Sequence, residues 1–343
     1  METKDRVRIL GIETSCDETA AAIVENGRNL LSSVVASQID IHIEYGGVFP
    51  EVASRQHVIA IHNVVQDCLQ KAHLSLSEID AIAVTRGPGL AGSLVVGMNF
   101  AKGLSLTRNI PLIGINHLEG HIYSAWLQSE NNGYHESEPK FPLLTLIVSG
   151  GHTELDLITD HLKYNKLGGT LDDAAGEAFD KVARLLGLPY PGGPSIQNAA
   201  KNGDPDAFKF PRARLEGTWN FSFSGLKTAV LREVKALEKE KGELPINDLA
   251  ASFQAAVVDV LFDKTLQAAE KNNVNAILIA GGVSANESLR QAFLSIDRYP
   301  VHIPPLKFCT DNAAMIATAG YYHFINGLED QLNIDVMPTL PLT

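Results

Sequence analysis

His117 and His121 stand four residues apart in Gly114-Ile115-Asn116-His117-Leu118-Glu119-Gly120-His121, and this spacing is the sharpest chemical signal in the chain. In a helix of ~3.6 residues per turn both imidazoles fall on one face, close enough to share one metal ion. The apolar residues Ile122, Tyr123, Ala125, Trp126 and Leu127 predict that the helix continues behind them. The spacing by itself is equally served by two histidines on a surface helix. Far downstream, Cys309-Thr310-Asp311-Asn312 offers a carboxylate to the same ion. Three protein ligands with an open position make a working metal site rather than a structural one.

A zinc peptidase is the first enzyme such a pair suggests, and the spacing argues against it. In H-E-x-x-H the glutamate directly follows the first histidine and serves as general base. Glu119 comes two residues after His117, so it is rotated roughly 200° around the helix and points away from the ligand face.

The elements that must position these residues belong to an ordinary globular chain. At 343 residues, 45% hydrophobic and 20% charged, it is long enough for two lobes with separate cores. Cys16, Cys68 and Cys309 show neither C-x-x-C spacing nor a disulfide framework, so a reducing compartment is expected. Met1 to Arg8 mixes acids and bases, unlike a signal or transit peptide, and no run reaches about 18 apolar residues. A cytoplasmic protein without a membrane span is expected. The formal net charge of −12 disfavours a strong grip on nucleic acid by this chain alone. Lys209 to Lys241 is locally basic, either a solvated helix face or a candidate RNA contact.

Two segments repeat one design: Arg8 to Val24 and Leu143 to Ile158 each give a buried strand, a small polar turn and a second apolar strand. After the first come a strand at Leu30 to Ser37, a helix at Glu51 to Ala72, a strand at Ala81 to Thr85 and a helix at Leu90 to Thr107. After the second come helices at Asp173 to Leu186, Ile196 to Asn202, Phe223 to Lys241 and Pro245 to Asn272, then a strand at Ala276 to Ala280. The pattern predicts an internal duplication with a cleft between lobes. The polar stretch Gln128 to Lys140 marks the boundary, giving lobes at 1–130 and 141–310, the first completed by a C-terminal helix at 311–327.

Glycine turns supply the other chemistry. Ile147-Val148-Ser149-Gly150-Gly151 ends a strand with bare amides that can approach a phosphate. Ala280-Gly281-Gly282-Val283-Ser284-Ala285-Asn286 repeats this at a strand-to-helix junction, where Ser284 is expected to cap a helix over Glu287 to Leu294. Tyr190-Pro191-Gly192-Gly193-Pro194 is either one wall of a nucleotide pocket or a plain loop between helices. No P-loop or dinucleotide fingerprint is present.

Two hairpin loops and a late Gly-Gly turn, spread over two lobes, form the pattern of the α/β actin/Hsp70/sugar-kinase superfold, with duplicated mixed sheets flanked by helices. The chain also resembles the TsaD family of tRNA adenosine threonylcarbamoyltransferases, in its bacterial branch. The matching stretches, in order, are Gly11 to Thr19, Tyr45 to Arg55, Gly87 to Leu90, His117 to His121, Val148 to Thr153, Asp172 to Lys181, Tyr190 to Pro194, Phe221 to Lys227, Ala280 to Asn286 and Cys309 to Asn312.

The resemblance implies transfer of threonylcarbamoyl from threonylcarbamoyl-AMP to N6 of adenosine 37 in tRNAs that read codons starting with A. It implies one divalent metal, Fe(2+) or Zn(2+), on His117, His121 and Asp311, and an adenylate pocket lined by Ile147, Val148, Ser149, Gly150, Gly151, Asp180, Gly193 and Asn286. Some members carry aspartate where this chain has Gln197, which can still bond a ribose hydroxyl. Asp17 and Glu18, at the first hairpin's tip, are candidates for orienting the reacting groups. A TsaB-like paralogue and a TsaE-like ATPase are the implied partners. A closing cleft would protect the mixed anhydride from water. The rival readings are a glycoprotease-type metallopeptidase, a sugar-kinase-like phosphotransferase and a non-catalytic nucleotide-binding paralogue.

Overall fold

The computed structural model describes residues 6–128, 138–240 and 243–342. The polar run Ser129 to Gly133, Lys241 and the first five residues lie outside them. Chain packing divides the molecule into two compact units, Met1–Glu138 with Thr310–Thr343, and Pro139–Cys309.

The first unit opens with β1 (Arg8–Glu13), β2 (Glu18–Glu25) and β3 (Asn29–Ser37), joined by helices α1 (Ile39–Tyr45) and α2 (Pro50–Lys71) to β4 (Ala81–Gly87). Helix α3 (Ala91–Arg108) leads to β5 (Leu112–Asn116), which runs straight into α4 (His117–Tyr123). The second unit repeats the plan with β6 (Leu143–Val148), β7 (Thr153–Asp160) and β8 (Lys163–Gly169), then α5 (Ala175–Leu185), α6 (Gly192–Ala200), α7 (Ser224–Lys239) and α8 (Ile246–Lys271). It ends with β9 (Ala276–Ala280), α9 (Glu287–Leu294), β10 (Val301–His302) and the single turn α10 (Leu306–Cys309). The chain then returns to the first unit as α11 (Ala313–Ile325).

The sheets share one strand order: β3-β2-β1-β4-β5 in the first and β8-β7-β6-β9-β10 in the second. Each leading hairpin is antiparallel, and each central strand pairs in parallel on its other side, β1 with β4 and β6 with β9. Central strands are buried on both faces, which is why they read as unbroken apolar runs instead of alternating ones. Leu10, Ile12, Ile23, Ile82, Val84 and Met98 anchor one core; Leu144, Leu146, Phe179, Phe253, Val257 and Ile279 anchor the other. Each such side chain stabilises its unit by roughly 1.5–3 kcal/mol.

Helix α11 lies directly on the first sheet, against β1, β2 and β4, and also packs on α4. A side chain on Gly11 would sit 2.2 Å from the Ala313 carbonyl oxygen, so only glycine lets β1 and the start of α11 approach this closely. Asn312 caps α11 by accepting the Met315 amide hydrogen at 3.0 Å, which fixes Asp311 immediately before the helix.

Four sequence expectations need correction. The 190–194 segment is no plain loop: Gly192, Gly193 and Pro194 form the first turn of α6, which starts four residues before Ile196. A proline is tolerated there because first-turn amides have no helical acceptor, and the Gly192 amide donates instead to Asp180 Oδ1 at 2.8 Å. Helix α9 is capped by Asn286, not Ser284, because a 3-10 turn over Gly282–Ala285 buries Ser284. The helix carrying His117 stops at Tyr123 and tightens into a 3-10 turn over Ser124–Trp126. Strands β5, β8 and β10 and helices α1 and α10 stand where the sequence pattern predicts no element. Among the described residues no helix is long and apolar enough to cross a membrane.

Candidate metal centre

The two histidines owe their placement to one asparagine. Asn116 ends β5 and accepts the Leu118 amide hydrogen at 2.8 Å, so the helix begins at His117 and brings His121 round one turn later. Their ring centroids are 4.7 Å apart and edge-on. His117 Nε2 lies 3.4 Å from Asp311 Oδ1, and His121 Nε2 lies 3.3 Å from the same oxygen. The three ligand atoms fall within 4.8 Å of one another.

The surroundings fit a divalent cation. His121 is buried, and neither ring nitrogen makes an aligned hydrogen bond. An imidazole left so costs ~1–3 kcal/mol, which a metal bond to Nε2 would offset. Two imidazoles and one carboxylate form a donor set that suits iron(II) and zinc alike.

Glu13, fully buried at the end of β1, completes the arrangement. Its Oε2 faces His117 Nδ1 at 3.2 Å and accepts the Thr85 hydroxyl at 2.6 Å, while Oε1 accepts the Ser15 amide. A carboxylate behind the ring fixes the tautomer, leaving Nε2 as the ligand atom. Burial raises Glu13's pKa, but the His117 charge and hydrogen bond outweigh that and hold it below the usual range. At His117 burial pulls the other way; Asp311 and Glu13 prevail and lift its pKa to about 10. Asp311 is driven far below the ordinary carboxylate value, since the two histidines overcome its burial. Two carboxylates held ionised around buried imidazoles make a pocket that attracts positive charge.

At the β1–β2 tip, Glu18 accepts the Ser37 hydroxyl on Oε1 at 2.7 Å, and its buried Oε2 has no hydrogen-bond partner. Burial first, then the charges of Asp17 and Asp311, push its pKa up to about 7. Asp17 stands beside it, its carbonyl accepting the Gln38 amide hydrogen at 3.2 Å. His57 ties the tip down, with Nε2 2.9 Å from the Cys16 carbonyl and Nδ1 2.8 Å from Thr19 Oγ1. Neither Glu13 nor His57 was singled out in the sequence; a carboxylate ending the apolar run Arg8–Glu13 was the one available signal. Glu119 is taken up elsewhere, its Oε2 2.8 Å from His323 Nε2 on α11.

In the second unit the β6–β7 turn closes on itself, the Ser149 amide donating to the His152 carbonyl at 2.8 Å. Side chains on Gly176 and Gly281 would stand 2.6 Å from the Ser149 and 2.5 Å from the Val148 carbonyl oxygens, so α5 and the β9 turn both press against this loop. Gly150, Gly151 and Gly193 face open space. Ile147 and Val148 are wholly buried, so their side chains are core and only their backbone serves the turn. Asp180 binds the Gly192 amide, and burial raises its pKa. Gln197 Oε1 accepts the Glu287 amide at 2.7 Å, so this oxygen is spent on the start of α9. Both ends of the Asn286 amide are engaged, Oδ1 by the Leu289 amide and Nδ2 by Gln254 Oε1 at 2.8 Å.

Comparison with known proteins agrees with both halves of this description. Among solved structures, HypF from T. kodakarensis superposes with a TM-score of 0.62 at 14% identity over 94% of this chain, which spans 48% of that one. Component A of the (R)-2-hydroxyglutaryl-CoA dehydratase of Acidaminococcus fermentans gives 0.52 at 14% identity, covering 93% and 99% of the two chains. These likenesses place the fold in the actin/Hsp70/sugar-kinase class. In sequence, a protein of Dehalococcoides mccartyi named tRNA N6-adenosine threonylcarbamoyltransferase is 55% identical over 338 residues, covering 98% of this chain and 100% of its own. Relatives of the same name from Thermomicrobium roseum and Geobacillus kaustophilus are 54% and 51% identical, each covering at least 96% of both chains. The model of the TsaD family, tRNA N6-adenosine threonylcarbamoyltransferase, matches residues 29–318. The chain therefore belongs to that family.

Proposed function

We propose that this protein transfers the threonylcarbamoyl group of threonylcarbamoyl-AMP to N6 of adenosine 37 in tRNAs reading codons that start with A, in the cytoplasm. What carries the reading is the near end-to-end alignment, at 55% identity, with a relative bearing that activity in its name. In the reaction the N6 nitrogen bonds to the carbamoyl carbon, the bond to phosphate oxygen breaks, AMP leaves with the electron pair, and an N6 proton passes to a base. His117, His121 and Asp311 would hold a divalent ion, for which Fe(2+) is the favoured choice and Zn(2+) the alternative. When bound, such an ion supplies Lewis-acid polarisation of a carbonyl.

The remaining work falls to side chains and amides. Glu13 keeps His117 turned toward Asp311. Glu18, its pKa pushed up to about 7 by burial, is suited to take the N6 proton. The amides of Gly150 and Gly151 and the first turn of α6 at Gly193, all facing open space, suit the adenylate phosphate, and a helix N-terminus favours the anion. A TsaB-like paralogue and a TsaE-like ATPase are the expected partners, consistent with the acidic surface. The peptidase reading is disfavoured because Glu119 is bound to His323.

The test is mass analysis of tRNA nucleosides after incubation of protein, ion, threonylcarbamoyl-AMP, partners and unmodified tRNA. Threonylcarbamoyladenosine is expected; its absence with active partners and intact donor would overturn the assignment.

A further inference from the structure

The basic stretch at Lys209 to Lys241 is less free than its composition suggests. Arg212 pairs with Asp259 at 2.9 Å, Arg214 with Asp263 at 2.6 Å and Lys227 with Asp173 at 3.4 Å. Further positive charge lies next door on α8, where the loop over residues 214–219 borders a cavity of about 370 Å³.

Lys264 is the unusual member of this cavity. It is only 4% exposed, and its ammonium is held by backbone alone, 2.7 Å from the Thr218 carbonyl and 3.5 Å from that of Leu215. No carboxylate among the described residues pairs with it; the adjacent Asp263 is spent on Arg214. Burial lowers its pKa, the mark of an uncompensated charge. A buried ammonium has three donors; two are met by these carbonyls, and the charge with its third donor is left for an anion. Two turns along the same helix, Lys271 brings its Nζ to 5.4 Å from the centre of the half-buried Trp219 ring, within cation–π range.

The loop is built to keep this shape. Leu215 and Gly217 both hold positive φ, at 39° and 77°. Its far end is pinned to β8, where Asn220 accepts the Gly169 amide at 3.1 Å. A side chain on Gly168 would come 2.5 Å from the Trp219 backbone, so the strand and the loop are in direct contact. Glu216 also lines the cavity and offsets part of the positive charge, which limits the site to one phosphate and not a long backbone track.

We propose that this cavity receives a backbone phosphate of tRNA on Lys264 and Lys271, with the flanking nucleotide against Trp219. Cations beside a partly accessible aromatic ring are a common means of holding unstacked RNA. The proposal rests on the functional reading above and adds to it a docking point on the second unit.

The test measures steady-state modification of an unmodified tRNA transcript by the full chain with its partners, at several salt concentrations. Lys264→Met keeps the aliphatic packing and removes the charge; Lys271→Glu reverses a charge at an exposed position, and an unchanged Tm for each variant shows that its fold is kept. Both should raise KM for tRNA roughly five- to tenfold while kcat and KM for threonylcarbamoyl-AMP hold, and Lys264→Met should lower the salt slope of tRNA binding by about one. Inorganic phosphate should compete with tRNA in the parent and lose that effect in both variants. Unchanged tRNA KM in both variants overturns the proposal, as does a cavity that binds phosphate without affecting tRNA. If the parent itself neither binds nor modifies tRNA, the functional reading fails first and this one with it.

Discussion

The two leading hairpins stand at equivalent places in sheets of the same strand order, yet their tips carry opposite chemistry. The β1–β2 tip runs Glu13-Thr14-Ser15-Cys16-Asp17-Glu18, three carboxylates in six residues; the β6–β7 turn is Ser149-Gly150-Gly151-His152, with none. One tip therefore gathers negative charge around two imidazoles, while the other carries no carboxylate and turns two glycines toward open space. The strand scaffold is indifferent to which it holds. What sets each tip's function is the small set of residues packed behind it: Asn116, Asp311 and α11 for the first, Gly176 and Gly281 for the second.

His121→Ala breaks the acidic region most directly. Bound iron or zinc, read by elemental analysis of protein purified with the metal, should fall below about a tenth of the parent level, and threonylcarbamoyl transfer by 100-fold or more. The adenylate region should be untouched, with AMP binding within about twofold. Equal loss of both would mean the regions are not separable.

Gly176→Ala is the complementary break. Its new methyl meets the Ser149 carbonyl oxygen at 2.6 Å, and because that oxygen belongs to the backbone the turn must shift. AMP affinity measured by calorimetry should drop at least tenfold while metal content stays the same. Retained affinity would show that these amides do not hold the phosphate.

Glu18→Gln sharpens the comparison rather than breaking it. In the parent the carboxylate ionises as pH rises through about 7, so if it accepts the N6 proton, kcat should climb over that window. The variant should be about 10–100-fold slower and lack that limb. A parent profile that is flat from pH 6 to 8 would remove Glu18 from the chemistry.

Legibility in the sequence follows burial. Strand β9 and helix α9 end where the residues say they should, because an apolar run and a Glu-to-Leu stretch each have clear punctuation. The edge strand β8, Lys-Tyr-Asn-Lys-Leu-Gly-Gly, has no alternation to read, since its pairing with β7 and not its own pattern holds it extended. The start of α6 was hidden because Gly-Gly-Pro signals a loop unless the carboxylate of Asp180, twelve residues back, is known to receive the amide. At the candidate metal centre the histidine spacing and the distant aspartate are legible. Glu13 is not: a polar residue ending a strand is unremarkable until the ring it faces is known.

Two buried carboxylates on the central hairpins give the finest version of the contrast. Glu13 has a histidine, a threonine hydroxyl and an amide, and its pKa falls. Asp156, on β7 opposite Thr145, is fully buried with neither oxygen hydrogen-bonded; burial, aided by the Glu154 charge and opposed by Lys166, raises its pKa to about 7. The folded chain thus keeps a proton on Asp156 that the unfolded chain releases near pH 4, so the native state binds more protons between those values. Stability must fall as pH rises from about 4 through 7, by at most a few kcal/mol. Asp156→Asn carries no such proton, and should flatten that slope and raise Tm at pH 8 by several degrees relative to the parent, with little difference at pH 5. Parallel Tm curves for parent and variant across that range would mean that Asp156 finds a partner in solution, and the hairpins would differ at their tips alone.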